Sequence, residues 1–84
     1  MEIYQEVLEE VKELHPDSLK ADGFDKAIIG YTTQGLIVYE VDKMIEILVT
    51  RDGISHLDAL EYLDFNVFGA YLGDKTPIYM RKPE

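Results

Sequence analysis

The chain has 84 residues, 46% of them hydrophobic and 30% charged, enough material for one hydrophobic core and no more. Seventeen acidic residues against eight basic ones give a formal net charge of −9. That balance argues against a surface that grips nucleic-acid phosphates, because such surfaces are built from clustered Lys and Arg. With no Cys there is no disulfide framework, thiolate metal site or Cys nucleophile, so packing or self-association must hold the domain together.

The N-terminal stretch MEIYQEVLEEVKELH is acidic and amphipathic, where a secretory leader would be basic and then apolar for roughly 7–15 residues. It is expected to belong to the fold. Apolar runs such as 36–39 fall far short of the roughly 18 residues of a bilayer span, so no membrane partner and a cytoplasmic location are expected.

From Glu2 to Leu14 the apolar residues Ile3, Tyr4, Val7, Leu8, Val11 and Leu14 recur at steps of three and four, predicting a helix over 2–14 that Pro16 closes. Its other face carries Glu2, Glu6, Glu9, Glu10 and Glu13, with Lys12 the only base. Residues 15–25 are polar, with Leu19 and Phe24 expected to fold back onto the core. KAIIGY and LIVYEV, separated by Thr32 to Gly35, predict an antiparallel hairpin over about 26–41, with Gly35 at positive φ. Asp42 stands where an N-cap is expected for a helix over 42–52, with Met44, Ile45, Leu48 and Val49 as its apolar stripe and Asp52-Gly53 as its stop. Ser55, with Asp58 three residues on, predicts the cap of a third helix over 55–72 that runs through Leu57, Leu60, Leu63, Val67, Phe68 and Tyr71 to Gly73. TPIYM predicts a strand over about 76–81, which Pro77 confines to an edge or to its first residue. The expected fold class is α+β: one domain over 1–84 with three helices packed on a small antiparallel sheet. Exposed sheet edges on so short a chain predict a homo-oligomer.

Four constellations bear on function. The two helices over 42–72 have the outline of a helix-turn-helix, but six acids against Lys43 and Arg51 deny it DNA binding. His15 precedes Pro16 and His56 follows Ser55; a hydrolase or a cation site would need His56 with Asp52 or Asp58, and RDGISHLD lacks the spacing of a calcium loop. No cofactor, metal or catalytic residue is expected. FNVFGAYLGDKTPIYM places Asn66 and Gly69, both poor helix formers, among aromatic residues, which makes Asn66, Gly69, Tyr71 and Tyr79 a candidate pocket; a packed loop is the plainer reading. Finally, Glu2, Glu6, Glu9 and Glu13 lie three or four apart, so that neighbouring carboxylates stand roughly 5–6 Å from one another. Such a ridge imitates the charge pattern of a nucleic-acid backbone, although a solvated helix face gives the same spacing.

Over about residues 39–80, the segments YEVDKMIEIL, RDGIS, Asp58-Ala59, FNVFGAY and TPIYM resemble the C-terminal part of a group of small proteins encoded by bacteriophages and by bacterial genomes that carry phage genes. FN-x-x-GAY is the most specific piece. The resemblance implies a phage-related origin and a small accessory or host-modulating role in the host cytoplasm, and it assigns no active site. The leading expectation is a non-enzymatic protein that binds a basic host protein through the ridge Glu2, Glu6, Glu9, Glu10 and Glu13, as a DNA mimic toward a nucleic-acid-processing or defence protein. The alternative is a protein that sequesters a nucleotide-type small molecule in the Asn66, Gly69, Tyr71 and Tyr79 region; an interaction domain of other purpose is third.

Overall fold

A computed structural model describes residues 1–83. Helix α1 (Ile3–Leu14) begins where the Gln5 side-chain oxygen accepts from the Glu2 N–H at 2.9 Å, and it ends at His15, ahead of Pro16. Val7 and Val11 are buried, with Tyr4 and Leu8 packed against the core. Ile3 and Leu14, expected in the buried stripe, are exposed. The reason is length: α1 packs chiefly on a strand of four residues, and a 12-residue helix of about 18 Å overhangs a strand of about 13 Å.

The polar segment after α1 is tied down at three points. Phe24 is buried, the Ser18 hydroxyl donates to the Gly35 carbonyl, and the Ala21 N–H donates to the Tyr39 hydroxyl at 2.8 Å. A 3₁₀ turn over Asp25–Ala27 delays the hairpin, whose strands are β1 (Ile28–Tyr31) and β2 (Ile37–Glu40). They pair antiparallel, Ile28 opposite Tyr39 and Tyr31 opposite Ile37, with a bulge between Ile28 and Gly30. Gly35 takes φ 88° in the turn, as expected.

Helix α2 (Val41–Asp52) follows β2 with no intervening residue. The N-cap position therefore belongs to Glu40, still extended at φ −91°, and not to Asp42. Asp42 sits in the first turn, where its charge suits the helix dipole and meets Arg81 at 3.6 Å. Gly53 ends α2 at φ 68°. Helix α3 (His56–Leu63) is capped by Ser55, whose hydroxyl oxygen accepts from the Asp58 N–H at 3.1 Å. The helix expected over 55–72 is cut short: one π turn spans Asp64–Phe68, and irregular chain follows from Gly69. Asn66 donates its side-chain amide to the Tyr62 carbonyl at 3.1 Å, competing with the backbone ladder where helix propensity is already low. Gly73 lies beyond, in a turn closed by the Thr76 N–H on its carbonyl at 3.1 Å.

Strand β3 (Ile78–Met80) begins directly after Pro77 and lies beside β2, so the order is β1-β2-β3. It runs parallel to β2, Val38 opposite Ile78 and Glu40 opposite Met80, which makes the sheet mixed where an antiparallel one was expected. The connection through α2 and α3 carries the chain back across the molecule, which is what a parallel pairing requires and a hairpin cannot supply. The fold is α+β, with three helices around a three-stranded mixed sheet. Ile28, Ile37, Tyr39, Met44, Ile45, Leu48 and Leu63 form the innermost core, so both hairpin strands, α2 and α3 meet there.

Candidate functional site

Helix α1 turns its acidic side to solvent. Glu6, Glu9, Glu10 and Glu13 are exposed on it, Glu2 is exposed at its cap, and among the described residues none of the five takes part in an ion pair. The cause lies in the sequence: Lys12 is the only cation on the helix, and the opposite face is committed to the core through Val7 and Val11. Glu6, Glu9 and Glu10 border, with Met1, a shallow hollow of about 450 Å³. The helix dipole favours the carboxylates of the first turn and opposes Glu13 in the last, so Glu13 is held without compensation from the backbone.

Asn66, Gly69, Tyr71 and Tyr79 face different surroundings. The Asn66 amide is taken by the Tyr62 carbonyl, Tyr71 is 76% exposed, and a Cβ at Gly69 would meet only the Asp64 carbonyl oxygen, at 3.4 Å. Tyr79 packs between Tyr39 and Phe68, with ring centroids 5.8 and 4.9 Å away, so it joins β2, β3 and the π turn as a packing residue. Burial pushes its phenol above the ordinary range.

The histidines have different tasks. His15 lies edge-on to Tyr31 at 5.9 Å and beneath Gly35, filling the space under the hairpin turn. His56 is exposed in the first turn of α3. Both Asp52 carboxylate oxygens accept from the Arg51 guanidinium, at 3.0 and 3.2 Å, and those bonds hold the Asp52 carboxyl below its usual range. Asp52 is thereby occupied rather than poised beside His56.

A groove of about 480 Å³ that the sequence reading did not anticipate runs along α2. Lys43, Glu46, Ile47, Thr50 and Arg51 line it from one helix face and Lys26 from the 3₁₀ turn. The signal was present in the three- and four-residue spacing of those side chains, but Lys26 comes from a separate segment. Lys43 pairs with Glu40 at 3.8 Å and Arg51 with Asp52, so the cationic walls are largely balanced by their neighbours.

No helix among the described residues is long and apolar enough to cross a membrane. Comparison with protein-family models, with characterised proteins and with solved structures gave no match.

Proposed function

We propose that this chain is a non-enzymatic accessory protein of bacteriophage type that binds a basic host protein through α1, as a DNA mimic toward a nucleic-acid-processing or defence protein. The observation that carries the reading is the row of five exposed carboxylates, none of them in an ion pair among the described residues. From Glu2 to Glu13 the helix rises about 16 Å, roughly 4 Å of axis per charge, close to the roughly 3.4 Å of duplex axis per phosphate of one DNA strand. The resemblance of residues 39–80 to phage-encoded proteins supports the setting. Self-association remains part of the proposal; β3 is short and preceded by Pro77, which disfavours pairing through that edge of the sheet.

The test is to immobilise the chain, pass host lysate over it at low and high salt, and identify retained proteins by mass spectrometry beside the variant Glu6→Lys/Glu9→Lys/Glu13→Lys. A nucleic-acid-processing protein held at low salt, released at high salt and lost with the variant is the expected result. Equal retention by the variant would exclude the ridge. The alternative of small-molecule sequestration draws its support from the α2 groove; a ligand there that binds only the folded state would raise the melting temperature by mass action.

A further inference from the structure

The outward side of α3 and of the chain that follows is apolar and acidic at once. Leu57, Tyr62, Phe65, Tyr71 and Leu72 are exposed, Phe65 at 86%, while Ala59 and Leu63 of the same helix are buried. Leu57 and Glu61 share one row at helical spacing, with Phe65 next along it at the π turn, and Asp58 and Tyr62 form the adjacent row, so apolar and acidic side chains alternate as neighbours. The loop beyond is held rather than loose: the Leu72 N–H donates to the Thr76 hydroxyl at 2.6 Å and the Ala70 N–H to the Val67 carbonyl at 3.2 Å. Between Asp52 and Lys75 the chain contains no Lys or Arg. Asp58, Glu61, Asp64 and Asp74 lie in that stretch, and none of them is in an ion pair among the described residues.

An exposed apolar patch rimmed by polar groups marks an interaction site, and the charge around this one selects its occupant. A second copy docked face to face about a two-fold axis would set these four carboxylates against the same four. Nucleic acid and an anionic membrane are repelled for the same reason. A neutral apolar peptide would strip water from the carboxylates and return no counter-charge. A segment with Lys or Arg beside apolar side chains meets both requirements. We propose that the α3 face, from Leu57 to Leu72, docks a basic amphipathic segment of another protein, laid along Tyr62, Phe65 and Tyr71. The inference rests on the reading that the partner is basic, but it names a different face of the molecule from α1.

The experiment measures binding of a fluorescein-labelled peptide, with Lys and Leu repeated at helical spacing, to the whole chain by anisotropy. An oligolysine of equal charge is the comparison. Phe65→Ser/Tyr71→Ser and Glu61→Lys/Asp64→Lys should each weaken the amphipathic peptide at least tenfold, while Glu6→Lys/Glu9→Lys/Glu13→Lys changes it less than threefold. Amide chemical shifts of 57–72 should move on titration. All the substituted side chains are exposed, and a thermal melt of each variant verifies folding. If oligolysine binds as tightly and Phe65→Ser/Tyr71→Ser is neutral, the inference is overturned. If only the α1 variant weakens the peptide, it is overturned while the proposed role of α1 stands. If the peptide does not bind at all, the α3 site is refuted and the lysate capture decides the α1 ridge separately.

Discussion

The Tyr39 hydroxyl accepts from the Ala21 N–H across eighteen residues of sequence, from a ring with no solvent exposure. Burial pushes the phenol far above its ordinary value of 10.0; the Ala21 hydrogen bond opposes that shift, while Asp25, Tyr79 and Asp22 reinforce it. The folded state therefore holds the Tyr39 proton more tightly than the unfolded chain does. Its contribution to stability is complete below about pH 10 and is lost as pH rises beyond that, because only the unfolded chain ionises there. Tyr39→Phe should cost about 1 kcal/mol at neutral pH, since the Ala21 N–H loses its partner at a half-exposed site. The same variant should also show a shallower loss of stability above pH 10, with Tyr79 supplying what remains. Urea unfolding followed by circular dichroism at neutral and alkaline pH measures both effects. A β-rich run marked Tyr39 as a strand residue, but nothing local in the sequence tells which backbone group its hydroxyl will reach. Asn66 shows the same limit: its low helix propensity was visible, and its bond to the Tyr62 carbonyl was not.

Local turn and cap chemistry was legible at some positions and not at others: Asp42 does not cap α2 and Gly73 does not end the third helix, because the strand runs straight into α2 and the helix gives way to a π turn. Ser55 and Gly53 occupy the cap positions that their residue types suggest, and the hairpin turn uses Gly35 at positive φ. The direction of β3 was not legible, since parallel or antiparallel pairing depends on how α2 and α3 return the chain, and no residue of TPIYM encodes that path. The two glycines separate backbone from packing effects. At Gly53 a Cβ would meet open space, so Gly53→Ala should cost only the left-handed backbone penalty, about 1 kcal/mol. At Gly35 a Cβ would also overlap the His15 ring, adding about 1–3 kcal/mol of overpacking. Gly35→Ala should therefore lower the melting temperature at least twice as far as Gly53→Ala. His15→Ala in the Gly35→Ala background should recover part of the difference, and equal losses at the two glycines would show that His15 does not pack beneath the turn.

At the scale of the whole molecule, net charge opposes compactness. Seventeen acids share one small surface with eight bases, and the carboxylates of α1 and α3 are left without partners among the described residues. The sequence made the excess legible but not its distribution, because whether an acid is paired depends on where Lys20, Lys43, Arg51, Lys75, Arg81 and Lys82 fall once the chain is folded. Apart from Glu40, which is buried and meets Lys43 and Lys82 at 3.8 and 3.6 Å, every partner in these ion pairs keeps substantial solvent contact. Exposed pairs contribute about 0–1 kcal/mol each and are themselves screened by salt. Repulsion among the unpaired acids acts over a longer range and is screened once the Debye length falls to about 8 Å at physiological ionic strength. Raising sodium chloride from low to physiological concentration should therefore raise the melting temperature. Glu6→Lys/Glu9→Lys/Glu13→Lys changes the formal charge by two per site, from −9 to −3, on a face that makes no core contact. That variant should melt higher than the native chain at low salt and depend less on salt. A native melting temperature that falls as salt is added would mean that the ion pairs outweigh the repulsion, and would place the stabilising electrostatics at Glu40 and at the Asp42–Arg81 pair.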